Sequence, residues 1–229
     1  MCEQQTANDG RPATVGIVGM GGFAAIHHKA VAALEERGEA RLVCTCDPCP
    51  ENSAELRRRL ERRGIPIYAE LDEMLAAHAR DLDIVAVPTP VPLHAPMHRA
   101  AVECGTAVYL EKPPTLWHRE LEAMIEVDRG SETPTLVGFN FIGEPTRKRL
   151  KKRLLDGEFG ALESLRFHAY WPRPASYYTR SAWAGTLLLD GRPVLDSCIG
   201  NALAHYVHNM LFWAGTDVAS FASVRDVRA

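Results

Sequence analysis

The sequence lacks a hydrophobic run that could cross a membrane, because no apolar stretch approaches the roughly 20 residues that a bilayer span requires. Its first twelve residues, MCEQQTANDGRP, also lack the basic start and apolar centre of a secretory signal peptide. These two absences predict a cytoplasmic protein with no membrane partner.

An excess of positive charge is missing as well. The chain of 229 residues has 26 Lys and Arg against 29 Asp and Glu, a net charge of −3, which gives no general attraction to nucleic acid. Two basic runs, residues 57–63 and 146–153, have leucines at helical spacing and no accompanying aromatic platform. They are typical of solvated helix faces, and we predict no nucleic-acid partner.

The six cysteines do not suggest a disulfide framework, since the sequence shows no secretory signal. Cys44, Cys46 and Cys49 are close in sequence, but the first two belong to the apolar run LVCTC. Structural zinc needs a full set of ligands at loop spacings. We therefore predict free thiols, with this run packing as a strand, and no metal.

From residue 14 onward, short β-rich runs alternate with helical patterns, which is typical of parallel βαβ units. This alternation predicts an α/β fold, an N-terminal Rossmann doubly wound parallel sheet over residues 13–140, preceded by a flexible tail at residues 1–12. The predicted strands cover residues 14–18, 40–46, 65–68, 82–87, 107–110 and 135–139, and the predicted helices lie near 23–37, 51–63, 70–79, 92–104 and 116–129.

The alternation changes after residue 140. The patterns predict helices at 145–155 and 201–213 and strands at 162–171 and 218–224. Residues 141–229 are thus expected to form a partial α+β domain with an open sheet. So few strands leave little core. We therefore expect a chain that is cut short or depends on a partner, with little or no activity by itself.

A glycine motif follows the first predicted strand. Gly19, Gly21 and Ala24 form G-x-G-x-x-A, which permits a tight turn, a close approach of a pyrophosphate and close packing of helix on strand. Gly22 and Phe23 lie in the same turn and are predicted cofactor contacts. Glycines also end strands for purely structural reasons, so the motif depends on its βαβ context.

Asp47 ends the second predicted strand. An acidic side chain there accepts hydrogen bonds from both adenine-ribose hydroxyls and repels a 2′-phosphate. Its position therefore favours NAD over NADP. The alternative is an aspartate that serves only the turn at Asp47-Pro48.

Two further motifs follow later strands: V-P-T-P-V-P-L-H ends at His94, and L-E-K-P contains Lys112. With the glycine motif, and His27 just after it, they resemble the Gfo/Idh/MocA oxidoreductases, a family that includes glucose-fructose oxidoreductase and inositol dehydrogenase. The resemblance implies an NAD cofactor and, in the full-length form, a homo-oligomer. It also implies cofactor contacts at Thr89, Pro90, His94, Glu111 and Lys112.

Lys112 is also singled out by its surroundings in the sequence. It lies between Glu111 and two prolines at the carboxyl end of a predicted parallel strand, where ligands bind in open α/β sheets. The alternative is a surface lysine at a strand end. The flanking prolines restrict its backbone and favour the functional interpretation.

The predicted helix 201–213 is apolar apart from Asn201, His205, His208 and Asn209, which cluster on one face. Such a row of polar side chains on an apolar helix either faces a cavity or contains histidines that are hydrogen-bonded within the core. A metal at His205 and His208 with Asp196 would need further ligands, and none is predicted.

In the resembled family this helix commonly reads D-x-G-x-H, and its aspartate and histidine face the substrate. His205 matches that histidine, whereas Asn201 and Leu203 replace the aspartate and glycine. Asparagine positions a hydroxyl but cannot take its proton. Asp196 is a candidate to substitute for the missing carboxylate.

The resemblance implies hydride transfer between the nicotinamide and a carbinol carbon of a sugar, inositol or related polyol. His205 would exchange the hydroxyl proton, Lys112 would hydrogen-bond the same oxygen, and Asn201 would position it. The predicted substrate contacts are Tyr177, Tyr178, Arg180, Trp183 and His208. Alternatively, the first four of these residues belong to a hydrophobic loop that packs under the sheet.

Two other functions stay open at this point. Some members of the family resemble glycosidases that oxidise transiently and then reduce again, with no net cofactor turnover. A non-catalytic, nucleotide-binding regulatory relative is the other alternative, and the asparagine at position 201 favours it.

Overall fold

A computed structural model of the chain describes residues 10–180, 182–189 and 191–228. The chain forms two compact units, Met1–Val137 and Gly138–Ala229. Residues 1–9 of the predicted tail lie outside the described residues.

The first unit is a six-stranded parallel sheet in the order β3-β2-β1-β4-β5-β6. This order confirms the predicted doubly wound fold. β2 and β3 lie on one side of β1, whereas β4, β5 and β6 lie on the other side, so the order of the strands reverses between β1 and β4. In open α/β sheets, ligands bind at such a reversal point, beyond the carboxyl ends of the strands. The strands are β1 (Ala13–Val18), β2 (Ala40–Cys46), β3 (Ile67–Tyr68), β4 (Ile84–Val87), β5 (Ala107–Leu110) and β6 (Thr135–Val137).

Five α-helices connect these strands: α1 (Ala24–Glu36), α2 (Ala54–Arg62), α3 (Leu71–His78), α4 (His94–Glu103) and α5 (His118–Arg129). Apolar clusters cover the sheet on both faces, one around Ile17 and Leu60, the other around Met74 and Val85. The strands are apolar along their length because a parallel sheet is buried on both sides.

Cys44 and Cys46 belong to this core. Both are free and buried, and burial raises the pKa of each thiol to about 12. They are therefore unreactive packing residues, as predicted. Cys2 lies outside the described residues.

The second unit contains α6 (Pro145–Leu155), α7 (Ala175–Tyr178) and α8 (Ala204–Trp213), which a π-helical turn (Cys198–Ala202) precedes. An antiparallel pair, β7 (Leu188–Leu189) and β8 (Arg192–Pro193), is its sheet within the described residues. The predicted strands at 162–171 and 218–224 are wrong, because those segments pair with no strand in the described part of the chain. Strand-like patterns form strands only when a partner supplies hydrogen bonds.

Lys151 connects α6 to the end of α8. Its side chain is buried, and Nζ donates to the carbonyl oxygens of Phe212, Gly215 (2.8 Å) and Ser220 (3.2 Å). The ammonium thus satisfies carbonyl groups at and beyond a helix C-terminus, where positive charge is favourable.

Candidate active site

The glycine turn joins β1 to α1 at the reversal point of the sheet. Gly19 has a φ of +93°, and a Cβ there would lie 3.2 Å from Cβ of Ala24. Its N–H donates to the carbonyl of Cys46 at 2.6 Å. The turn therefore requires glycine at position 19 and a small residue at position 24.

His28 supports this turn from below, and the sequence interpretation missed it. The ring is 2% exposed, and its Nε2 lies 3.1 Å from the carbonyl oxygen of Gly19. Burial lowers the pKa of His28, so the neutral ring donates to that carbonyl. The available signal was its spacing from Ala24 and Val31, the other buried residues of α1.

Asp47 follows β2, as the sequence predicts. Its Oδ2 accepts from the N–H of Met20 at 2.7 Å, and Oδ1 accepts from the N–H of Cys49 at 2.8 Å. The carboxylate therefore stabilises the turn after β2 through Cys49 and binds that turn to the glycine turn through Met20. A carboxylate has further lone pairs beyond these two contacts, so ribose recognition remains compatible with both.

The loop after β4 contains Thr89 and Pro90 and leads to His94 at the start of α4. His94 is 1% exposed, with Nδ1 2.9 Å from the carbonyl oxygen of Pro113 and Nε2 2.8 Å from that of Thr89. A backbone carbonyl lies beside each ring nitrogen, so His94 joins this loop to the loop of Lys112. The cofactor contact predicted for His94 stays a prediction.

Glu111 and Lys112 follow β5. The carboxylate of Glu111 contacts His27 through Oε1, 3.1 Å from Nε2, and accepts from the N–H of Lys112 through Oε2 at 3.2 Å. The His27 ring meets Phe23 and Tyr109 edge-on, with centroids 5.5 and 5.4 Å apart. The half-buried Lys112 precedes a cis peptide bond to Pro113. Two histidines thus hold its loop.

Within the second unit, Asp196 lies against Asn201. Asn201 Nδ2 donates to Oδ1 of Asp196 and, at 3.2 Å, to the hydroxyl of Tyr177. That hydroxyl and the N–H of Gly185 donate to Oδ2 of Asp196 at 3.0 and 2.6 Å. Although burial opposes it, the bonds from Gly185, Asn201 and Tyr177 lower the pKa of Asp196. A carboxylate is therefore present beside position 201.

His205 and His208 lie on α8 among phenylalanines. His205 stacks on Phe141 with centroids 4.4 Å apart, and His208 stacks on Phe139 at 4.1 Å with Phe221 at 4.8 Å. Burial and the neighbouring His205 lower the pKa of His208. Its Nδ1 is buried and has no hydrogen-bond partner among the described residues. His208 thus packs as an aromatic ring, and its predicted substrate contact stays a prediction.

The predicted substrate loop is largely exposed. Tyr178 and Trp183 are 54% and 36% exposed, and the guanidinium of Arg180 lies 4.3 Å from the Tyr177 ring centroid. Gly185 is required here, because it has a φ of +72° and a Cβ would clash with the ring of Tyr178. The structure therefore places Tyr177 and Tyr178 at the end of α7, and Arg180 and Trp183 in the segment that follows.

The first unit fits a dinucleotide. A Cβ at position 19 would crowd Cβ of Ala24 at 3.2 Å, and the hydroxyl of Thr89 is buried without a hydrogen-bond partner among the described residues. The exposed Phe23 and the glycine turn lie at the N-terminus of α1, where N–H groups attract phosphate. We find no metal-binding group of His, Cys, Asp or Glu, and no helix that could span a membrane, in the described ranges.

These features define the class: a Rossmann-type, dinucleotide-binding α/β protein. The model of the Gfo/Idh/MocA family, described as an oxidoreductase family with an NAD-binding Rossmann fold, matches residues 13–139. The chain belongs to this family.

Similar proteins include inositol 2-dehydrogenase of Rhizobium meliloti, 28% identical over 168 residues, which covers 72% of this chain and 48% of that protein. The scyllo-inositol 2-dehydrogenase (NAD(+)) of Bacillus subtilis is 31% identical over 121 residues, a match that covers 53% of this chain and 34% of that protein. The chain thus spans about half the length, or less, of these relatives.

Among solved structures, the WlbA dehydrogenase of Bordetella pertussis, in complex with NADH and UDP-GlcNAcA, superimposes with a TM-score of 0.70 at 26% identity. The match covers 89% of this chain and 58% of that one. It includes much of the second unit as well as the sheet.

Proposed function

We propose that this chain carries the NAD-binding part and a portion of the substrate part of an oxidoreductase, with the two domains at residues 13–140 and 141–229. The reaction is hydride transfer between the nicotinamide and a hydroxyl-bearing carbon of a sugar, inositol or related polyol. The similar inositol dehydrogenases support this substrate class. The full-length protein is proposed to be a cytoplasmic homo-oligomer.

The observation that carries the proposal is the fixed loop of Lys112. Glu111, itself engaged by His27, accepts from the N–H of Lys112, while His94 contacts the carbonyl of the next residue. A lysine held this way, at the carboxyl end of a strand next to β4, is suited to a reacting group. We assign its ammonium to hydrogen-bonding the substrate oxygen and stabilising charge that develops there.

The bound cofactor would supply the hydride acceptor. Gly19, Gly21, Gly22, Phe23 and Ala24 form the turn that would face its pyrophosphate, and Asp47 would accept from the ribose hydroxyls. Thr89 and Pro90 would line the same edge of the sheet. In the second unit, His205 is proposed to exchange the hydroxyl proton, with Asn201 and Asp196 positioning the hydroxyl.

The test follows NADH absorbance in a single turnover, with protein in excess over NAD, so that slow hydride transfer is detected. NAD binding is first measured by calorimetry, and the reaction is then begun with myo-inositol, scyllo-inositol or D-glucose. We expect NAD binding followed by NADH formation with at least one of a broader panel of polyols and sugars. NAD binding without NADH formation across that panel would favour the regulatory or the glycosidase-like alternative instead.

A further inference from the structure

Five side chains in the second unit form an alternating stack of rings and cations. The guanidiniums of Arg173 and Arg180 lie 4.7 and 4.3 Å from the centroid of the Tyr177 ring. Arg173 also lies 4.5 Å from the ring of Trp171, and Arg180 lies 4.8 Å from that of Trp183. We call these five residues the arginine ladder.

The ladder leaves the hydrogen-bond donors of both arginines uncommitted. In the described part of the chain, neither guanidinium forms an ion pair or a hydrogen bond, and their contacts are with ring faces. Stacking uses the flat face of a guanidinium, whereas its N–H groups point outward in the plane. Both arginines therefore present a fork of donors at their edges.

The nearby carboxylate does not occupy these donors. Asp196 accepts from Tyr177, Asn201 and Gly185, and Arg180 acts on it only through its charge. Among the described residues that contact Tyr177, two guanidiniums thus accompany one carboxylate that already has its own partners.

The flanking rings are accessible as well. Trp171 is 54% exposed, and Trp183 is 36% exposed. Exposed aromatic faces beside arginine forks combine an apolar contact surface with charge-assisted donors. That combination suits a ligand with an apolar ring face and an oxyanion.

We propose that the arginine ladder binds an oxyanion, carboxylate or phosphate, carried by the sugar substrate. This inference rests on the proposed function and narrows it: the preferred substrate is a sugar acid or sugar phosphate, and a neutral polyol binds more weakly. Bidentate pairing with a guanidinium fork gives both affinity and orientation. The rings of Trp171 and Trp183 would pack against the sugar ring.

Calorimetry with the full chain and saturating NAD tests this, using D-glucuronate, D-glucose 6-phosphate and D-glucose as probes. We expect at least one anionic probe to bind about tenfold more tightly than glucose, a difference of about 1.4 kcal/mol. Whether glucuronate or glucose 6-phosphate gains more distinguishes carboxylate from phosphate. Equal affinity for all three probes, or binding of none, would overturn the proposal.

The double variant R173Q/R180Q is expected to lose the preference for the anion, because its affinity for the anionic probe falls more than its affinity for glucose. Its control is R149Q/R166Q, which removes the same charge from two exposed arginines of the second unit outside the ladder. Thermal melting confirms that each variant folds. Loss of the preference in the control as well would indicate general electrostatic attraction and would contradict the ladder.

R180K provides a second variant that keeps the charge but removes the planar fork. We expect it to lose part of the anion preference. These binding measurements are independent of turnover. If the chain forms NADH but binds the anionic probes no more tightly than glucose, the proposed anion binding by the ladder is overturned and the proposed function is not. If the chain prefers the anionic probes but forms no NADH with any of the probes or polyols, the proposed function is overturned and the anion binding is not.

Discussion

The Nε2 atom of His27 lies 3.1 Å from Oε1 of Glu111, and the two side chains are 14% and 13% exposed. This contact joins α1, which begins at the glycine turn, to the loop of Lys112. The cofactor-binding turn and the candidate reacting lysine are thereby connected through one pair of side chains. The first prediction follows from that pair.

His27→Phe keeps the contacts with Phe23 and Tyr109 but leaves the Glu111 carboxylate without this partner. Removing one partner of a largely buried polar group costs about 1–3 kcal/mol. We expect H27F to lower the free energy of unfolding by that amount, and H27Q, which retains a donor, to lower it less. Urea denaturation measures both, and equal stability of H27F and the unaltered protein would show that the contact contributes nothing.

The second prediction concerns cofactor choice at Asp47. If its carboxylate accepts the ribose hydroxyls, NAD binds at least tenfold more tightly than NADP, a difference of about 1.4 kcal/mol. D47A should remove this preference and also loosen the turn that Met20 and Cys49 help to form. Equal affinities of the unaltered protein for NAD and NADP by calorimetry would restrict Asp47 to the structural role.

The third prediction separates two effects of replacing a glycine: the loss of stability at a positive φ, and the loss of NAD affinity where the added Cβ crowds a neighbour. G19A and G38A both place alanine at a positive φ, +93° and +70°, so each should lose about 1–2 kcal/mol of stability. Only at Gly19 would the Cβ crowd Ala24, whereas the space at Gly38 is open. We expect NAD affinity to fall in G19A and to stay unchanged in G38A. A matching loss of affinity in both variants would indicate general damage to the fold.

The fourth prediction is a pH dependence of stability. Burial lowers the pKa of both His28 and His94 below the ordinary value of 6.5. The unfolded chain therefore binds more protons than the folded chain as the pH falls below about 6.5, so the free energy of unfolding decreases there. The variant H28Q/H94Q should reduce this slope, whereas H118Q, at an exposed histidine of α5, should preserve it. Unfolding at several pH values provides the measurement, and an unchanged slope in H28Q/H94Q would be the contrary outcome.

Much of the first unit could be predicted from the sequence, because apolar runs, helix-ending glycines and the G-x-G-x-x-A motif are local signals. The hydrogen-bond partners of His28 and His94 could not be predicted, since they are backbone carbonyls brought close only by folding. In the second unit, segments 162–171 and 218–224 have strand-like patterns without a partner strand in the described residues. Local pattern alone does not supply pairing.

The surroundings of Asp196 could likewise be predicted only in part. The sequence suggests Asp196 as a substitute for a carboxylate at position 201, and the structure brings it against Asn201 and Tyr177. The stacking of Arg173 on Tyr177 has no signal in the sequence, because cation–π pairs have no fixed spacing along the chain.

The fifth prediction tests the central claim, that Lys112 acts in hydride transfer at an NAD site. The measurement is the single-turnover rate of NADH formation in the unaltered chain and in K112A and H205A, with NAD affinity determined on the same samples. We expect each variant to keep its NAD affinity and to lose about two orders of magnitude in rate. Loss of NAD binding in K112A together with the rate, or an unchanged rate, would contradict the role assigned to Lys112.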